Sequence, residues 1–448
     1  MNIPVPRLTV TIASNTNMDD TRTVNTAPLH LQTHNFLQHA IPCPTHLLES
    51  LALWQRSPSD RPAFLQLIPG DQEINQSLHW AERFRQRADH LVVLGIGGSS
   101  LGGNMLVRTL TRNASKVSFF ENICPEQLTS LYEMEWRHTQ ILAISKSGET
   151  PETLAQLLTL LPVVQERPGP GLPEQIAIVT ENPHSALGRI ATSLHLPIIP
   201  HAPVGGRFSV LSVTGLLPAA FAGVEIPALL AGATRMAQRC LQPDPDANPA
   251  LRCALAQTGL AAQGRNMSVM LSYGSRLETI ATWFRQLWAE SLGKIDPRGQ
   301  KQGLTPVEAR GVVDQHSQLQ LYLDGPEDKQ FTLLFDPTLT GLGRTIPAGS
   351  FAALPAVAPL AGRSVGELFT AEYLGTRDAL LNRNAPLREF RLSANNPGAL
   401  GELILQLEME TTLVAGCLGV TPFDQPAVED GKKRARARLE SSAPGTLS

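Results

Sequence analysis

The stretch HLVVLGIGGSSLGGN, residues 90–104, constrains the fold more than any other part of the chain. An apolar run passes straight into glycines and serines, and a helical pattern, NMLVRTLTR, follows at once. A strand that turns this sharply into a helix leaves the first helical N–H groups free at the turn, where donors and dipole together favour an anion. A continuous apolar strand is covered on both faces, as in a parallel sheet between helices. The same alternation recurs. KVSFFE, QILAIS, QIAIVT and LPIIP read as strands, and ETLAQLLTLL is one of the helices between them. Strands alternating with helices predict an α/β fold.

The pattern starts again after the loop-like QPDPDANP, residues 242–249. NMSVMLSY and FTLLF read as strands and SRLETIATWFRQLWAESLGK as a strong helix. In that helix Leu277, Ile280, Trp283, Phe284, Leu287 and Trp288 share one face, so its aromatics belong to a core stripe. LGELILQLEMETTLVAGCLG is a long helical stretch, and AVEDGKKRARARLE is the last helix before a tail expected to be disordered. The 448 residues suit two or three domains of about 100–200 residues each. The expected division is an irregular and helical N-terminal segment (1–74), a first α/β domain (75–230), a second (231–415), and a C-terminal helix with its tail (416–448). The two α/β halves look like a loose duplication. ERPGPGLPEQ, residues 166–175, reads as a surface loop.

Several partners are disfavoured. A formal net charge of -3 offers no global attraction to nucleic acid or to an anionic membrane. The first residues, MNIPVPRLTVTIASN, lack the basic-then-apolar pattern of a secretory signal. The most apolar long stretch, VLSVTGLLPAAFAG, is too short and too interrupted by proline to span a bilayer. Five scattered cysteines without CxxC spacing predict neither a zinc site nor a disulfide framework, and point to a reducing compartment. A cytoplasmic protein is expected.

The loop Gly95-Ile96-Gly97-Gly98-Ser99-Ser100 nearly fits the dinucleotide-binding fingerprint, but Ser100 stands at the third glycine position. Glu121 closes the next strand at the ~20-residue distance of the ribose-binding acid. This loop alone leaves a nicotinamide-dependent enzyme open. A second loop shifts the balance. ILAIS runs into KSGETPET, so Ser145, Ser147 and Thr150 cluster hydroxyls after another strand, beside Lys146. A phosphomonoester wants several short hydroxyl donors plus backbone N–H groups around its three terminal oxygens. Two such turns at neighbouring strand ends make a cup for one phosphate. The structural alternative is that Ser147, Thr150 and Thr153 only cap a helix.

Four further stretches carry groups able to do chemistry. In VGGRFSVLS, Arg207 follows two glycines, and a fixed guanidinium there would stabilise developing negative charge. The plainer reading is an ion pair with a surface carboxylate. In QLWAESLGK, Gln286 and Glu290 share a helix face, and Lys294 is placed for an ordinary i,i+4 pair with Glu290. The C-terminal end of a helix disfavours a carboxylate's charge, which suits a group that must accept a proton. DQHSQLQLYLDGP contains His316, and FDQPAVEDGKK contains Gln425 and Lys432. Taken singly, these read as a structural histidine and a solvated basic helix.

The pairing of GIGGSS with SKSGETPET resembles the sugar isomerase (SIS) domain. With VGGRFS, ESLGK, DQHSQLQLYLDGP and FDQPAVEDGK in this order, residues 91–433 resemble the glucose-6-phosphate isomerase family in its shorter bacterial form. The resemblance implies two SIS-type domains, each a mainly parallel sheet flanked by helices, with a C-terminal helix wrapping the site. It implies interconversion of D-glucose 6-phosphate and D-fructose 6-phosphate through a cis-enediol(ate), with no metal and no organic cofactor. By the same resemblance Gly98, Ser99, Ser145, Lys146, Ser147 and Thr150 hold the phosphate. His316 and Lys432 open the ring, Glu290 carries the proton between C2 and C1, and Arg207 stabilises the enediolate. Gln286 and Gln425 hold sugar and water, and Glu152 is a weaker candidate. Family members are homodimers in which the histidine matching His316 comes from the neighbouring subunit, so a homodimer is expected. Ala427 departs from the family's glycine, which puts the geometry of its loop in question. A binding module without turnover would need the phosphate loops but not Arg207, Glu290, His316 and Lys432 together. A glutamine-dependent amidotransferase would need a cysteine where Asn2 follows Met1. Mannose 6-phosphate, which differs at C2, stays open as a further substrate.

Overall fold

The structure is a computed structural model. It describes residues 29–448 apart from 69–70, 113, 167–170, 350, 444 and 447–448. The first 28 residues of the N-terminal segment, the middle of the 166–175 loop and parts of the tail lie outside the described residues.

Strand β1 (His30–His34) comes first, and helix α1 (Asp71–Arg85) leads into the first sheet. That sheet holds β2 (His90–Leu94), β3 (Val117–Phe120), β4 (Thr139–Ile144), β5 (Ile176–Thr180) and β6 (Ile198–Pro200), the strands expected from the apolar runs. Their order is β3-β2-β4-β5-β6 and every pairing is parallel. Helices α2 (Leu101–Leu110) and α3 (Pro151–Gln165) start directly from the turns after β2 and β4. Helix α4 (Val213–Phe221), the core of the most apolar stretch, is buried along its whole length. Helices α5 (Ile226–Cys240) and α6 (Pro249–Ala262) follow. Among the described residues no helix is long and apolar enough to cross a membrane.

The second sheet is built from β7 (Met267–Tyr273), β10 (Thr305–Gly311), β11 (Lys329–Phe335) and β12 (Leu387–Arg391). The small hairpin β8 (Lys294–Ile295) and β9 (Lys301–Gln302) precedes β10. The order is β1-β12-β11-β7-β10, with only β1 antiparallel. Read from the other edge, β10-β7-β11-β12 repeats β3-β2-β4-β5, so the duplication extends to strand order. Strand β1 belongs to the segment read as irregular and helical. It becomes a strand because β12 offers it a free sheet edge, and that partner lies far away in sequence.

Helix α7 (Glu278–Leu292) joins the halves. The six predicted stripe residues, Leu277 at its N-cap included, are none more than 2% exposed. At roughly 1.5–3 kcal/mol for each large apolar side chain removed from water, this stripe fixes the helix's rotation. Gln286 and Glu290 are thereby turned away from the core. Helix α8 (Val365–Leu381) covers the second sheet. Helix α9 (Pro397–Cys417) is buried from Pro397 to Ala415 against α5, α6 and α7. Its polar residues are matched internally. Both Glu410 oxygens lie 2.7 Å from Arg388 Nη1, and Gln406 donates to Glu410 at 3.2 Å. Two oxygens are exceptions: Gln406 Oε1 and Glu408 Oε1 find no partner. The final helix, α10 (Val428–Ser441), buries no residue.

Candidate active site

The two loops expected to form a phosphate cup stand side by side at the C-terminal ends of β2 and β4. The first is locked from behind. A Cβ on Gly98 would lie 2.2 Å from the Gly206 carbonyl carbon, so a side chain cannot fit between the two backbones. Ser209 Oγ spans the same junction, within 3.2 Å of Gly98 O and 2.7 Å of Gly206 O. Ser100, the residue that breaks the dinucleotide fingerprint, donates to Glu121 Oε1 at 2.7 Å, and Asn104 adds a bond at 3.2 Å. The carboxylate a ribose would need is already engaged by the turn.

The second loop is shaped by Ser145. Its hydroxyl is 2.8 Å from Thr150 Oγ1 and accepts the Gly148 N–H at 3.1 Å. Ser145 is 2% exposed and does not line the cleft; it sets the loop rather than facing a ligand. Gly148 has φ +69° and faces Ser185 so closely that a Cβ would overlap its hydroxyl, which makes glycine obligatory there. Thr150 is the N-cap of α3, yet its side chain makes no cap bond. Helix capping therefore does not use up this hydroxyl. Ser147 Oγ accepts the Glu149 N–H at 3.2 Å. Lys146 Nζ lies 3.4 Å from Glu181 Oε2, a part-exposed pair of little energetic weight.

Arg207 is the centre of the site. It sits in the short helical turn Gly206–Phe208, with its side chain 2% exposed. Nε donates to Ser291 Oγ at 2.8 Å, and Nη1 to Glu290 Oε2 and Gln425 Oε1, each at 3.0 Å. Nη2 donates to Asp424 O at 2.9 Å and to Pro422 O. Burial pushes the guanidinium below its ordinary value, and the Glu290 carboxylate opposes that shift. Gln286 Nε2 donates to the other Glu290 oxygen at 3.1 Å.

The ion pair expected from sequence spacing, Lys294 with Glu290, does not form. Lys294 Nζ binds Asp424 Oδ1 at 2.7 Å and also Asp424 O. Lys294 thus ties the loop at 421–427 to the end of α7. Ala427 has φ -66° and ψ -27°, ordinary helical values, so the methyl in place of glycine strains nothing.

One cleft is lined by Gly98, Ser99, Lys146, Ser147, Thr150, Arg207, Gln286, Glu290, Gln425 and Lys432. Lys432 arrives on α10 and pairs with Glu429 at 2.9 Å. Glu152 does not line this cleft, and neither does His316. His316 ends the short helical turn Val313–His316 beyond β10, where it is exposed and makes no side-chain hydrogen bond to a described residue. Sequence reasoning missed Ser291, Asp424, Ser209 and the true partner of Lys294. Asp424 and Lys294 stand inside the quoted motifs, but only the tertiary approach of two distant stretches pairs them. Among the described residues no group of three or more His, Cys, Asp or Glu side chains is placed to hold a metal ion.

Residues 71–325 match the family model described as phosphoglucose isomerase. The chain is 38% identical over 396 residues to a glucose-6-phosphate isomerase of Rubrobacter xylanophilus, covering 85% of this chain and 89% of that one. It is 37% identical over 385 residues to the glucose-6-phosphate isomerase of Carboxydothermus hydrogenoformans, covering 82% of each. Among solved structures, a hypothetical protein of Thermus thermophilus superimposes with a TM-score of 0.73 at 30% identity, over 91% of this chain and 99% of that one. A glucose-6-phosphate isomerase of Chlamydia trachomatis shares the fold, with a TM-score of 0.69 at 22% identity over 83% of this chain and 74% of that one.

Proposed function

Because the chain belongs to the phosphoglucose isomerase family, we propose that its cleft interconverts D-glucose 6-phosphate and D-fructose 6-phosphate, an isomerisation of glycolysis and gluconeogenesis. The observation that carries the reading is the meeting of Arg207 and Glu290, 3.0 Å apart, in the same cleft as two hydroxyl- and amide-rich loops.

The loops around Ser99 and Ser147, with the Thr150 hydroxyl and Lys146, take the terminal phosphate. Ser145 supports this grip from behind. That anchorage places the sugar's C1–C2 end beside Glu290. His316 and Lys432 act as the acid and base that open the ring. Glu290 removes the C2 proton of the open-chain aldose, and the electron pair moves through the new C1–C2 double bond onto O1. The resulting cis-enediolate carries its charge beside Arg207. A preorganised donor in a dry site is worth about 3 kcal/mol to such an intermediate. A proton passes from O2 to O1, and Glu290 returns its proton to C1, giving the ketose. One carboxylate serves both carbons because they share a face of the planar intermediate. The hydrogen moves as a proton, so the steps assigned to these side chains require no hydride carrier. Gln286 and Gln425 hold Glu290 and Arg207 in register.

His316 is exposed and stands outside the cleft of its own chain, which supports a homodimer in which each cleft receives this histidine from the neighbouring subunit. The reading is tested by fructose 6-phosphate turnover, coupled to glucose-6-phosphate dehydrogenase with NADPH followed. Turnover by the native protein and its loss by about 10²–10⁴-fold in Glu290→Gln are expected. Thermal stabilisation by fructose 6-phosphate without turnover would favour a binding module instead.

A further inference from the structure

The duplicated strand order sets up a second crevice. In the first sheet the chain leaves β2 and β4 toward opposite edges, and the phosphate loops stand at that switch point. In the second sheet β7 and β11 occupy the same two positions. Ligands of open α/β sheets bind outside the carboxyl ends of the strands at such a point. A cavity lies there, walled by the turns after β7 and β11 and floored by apolar side chains such as Leu277 and Leu339.

Its polar lining is cationic. Arg276 donates from Nη1 to Asn395 Oδ1 at 2.8 Å and from Nη2 to Ala394 O at 2.7 Å, both neutral acceptors. Its Nε is buried and has no partner. Arg112 also lines the cavity, is exposed, and has neither an ion pair nor a hydrogen bond among the described residues. Burial holds the Arg276 guanidinium below its ordinary value; Asp336 opposes this and Arg112 adds to it. Asp336 is the carboxylate lining the cavity, and its oxygens are committed elsewhere. Oδ1 accepts the Thr338 N–H at 2.9 Å and the Thr338 hydroxyl at 2.6 Å, and Oδ2 accepts the Ala394 N–H at 3.0 Å. Two guanidinium groups thus line one cavity, Arg276 with only neutral acceptors and Arg112 with none among the described residues, beside the exposed Ser275.

From this arrangement we infer that the crevice at the ends of β7 and β11 is a second anion site, which takes the phosphate group of a small phosphorylated ligand. Two planar forks and a hydroxyl suit the three terminal oxygens of a phosphomonoester better than the two of a carboxylate. The inference does not depend on the isomerase reading, because it rests on the second sheet alone.

Equilibrium dialysis of the full chain with radiolabelled inorganic phosphate, up to ~10 mM, tests it. The wild type is expected to bind two equivalents per chain. Ser147→Asp, which places a charge in the first cup, should remove one equivalent together with turnover. Arg112→Ser should remove the other while fructose 6-phosphate turnover stays within about 2-fold. Ser275→Asp, at an exposed side chain, should act as Arg112→Ser does. A single wild-type equivalent that survives Arg112→Ser and disappears in Ser147→Asp would overturn the inference. So would a second equivalent that persists in both Arg112→Ser and Ser275→Asp.

Discussion

Lys294 follows Glu290 by four residues, yet its ammonium rests 2.7 Å from Asp424 Oδ1 and leaves Glu290 to Arg207. Asp424 in turn gives its carbonyl to both Lys294 and Arg207. The loop that carries Gln425 is therefore pinned from two sides, by the end of α7 and by the turn holding Arg207.

Lys294→Met should release one of those pins. Lys294 lines the neighbouring hollow beside Glu290 and Gln425, and its side chain is 7% exposed. A displacement near 1 Å at a reacting geometry costs up to about 10²-fold in rate. A fall in kcat of about 10–10²-fold is expected, with little change in KM, and partial recovery in Lys294→Arg. Steady-state kinetics of the two variants against wild type decide it. An unchanged kcat in Lys294→Met would make the pair merely structural.

The origin of the ring-opening histidine can be tested by complementation. His316→Ala and Glu290→Gln homodimers should each be nearly inactive. Mixed and refolded at equal amounts, they should form heterodimers in which one cleft holds an intact Glu290 and an intact His316. Statistical mixing then restores roughly a quarter of the wild-type sites. Activity that does not rise on mixing would place His316 and Glu290 of one cleft on the same chain, or His316 outside the reaction.

Gly98 and Gly206 face each other but differ in what they tolerate. A Cβ on Gly98 would sit 2.2 Å from the Gly206 carbonyl carbon, whereas one on Gly206 would meet its nearest neighbour, Gly98 Cα, at 3.4 Å. Gly98→Ala should push the phosphate loop away, raising KM for fructose 6-phosphate at least about 10-fold and lowering Tm. Gly206→Ala should do much less. Equal effects of the two substitutions in kinetics and thermal melts would count against this steric account.

Glu408 offers a pH test. It is fully buried, lacks an ion pair, and burial alone pushes its carboxyl well above the ordinary value. The unfolded chain therefore releases this proton at lower pH than the folded one. The group's favourable contribution is complete below the unfolded value and is lost as pH rises toward the folded one. The slope is at most about 1.4 kcal/mol per pH unit. Glu408→Gln removes the titrating group. Denaturant melts from pH 4 upward should show the variant gaining on the wild type as pH increases, and a constant difference would exclude the mechanism.

Local patterns made much of this molecule legible. The stripe on α7 was readable because helical spacing and burial coincide in a single segment. The strands of the first sheet and β7 and β11 of the second were readable because each is a mostly apolar run, whereas β10 (TPVEARG) and β12 (LREFR) escaped notice because charged residues interrupt both. Strand β1 was not, since HLQTH shows no strong strand pattern and becomes one only by pairing with β12. Lys294 was misassigned because the i,i+4 rule considers neighbours on the helix and not a loop more than a hundred residues later. Arg207 illustrates the intermediate case. Its position after two glycines suggested a ligand-facing cation, but its five partners come from two distant stretches, 290–291 and 422–425, that only the fold brings to it.

The backbone contact between Gly98 and Gly206 also works as a gauge. The turn proposed to grip the phosphate and the turn that presents Arg207 are in direct contact, so a shift of one strains the other. On the proposed reading, a substrate would thereby be measured by the number of atoms between its phosphate and its carbonyl before any hydroxyl is inspected. Phosphorylated sugars one carbon shorter are expected to fill the cup while their reactive carbons fall short of Glu290, so they should inhibit fructose 6-phosphate turnover without being turned over.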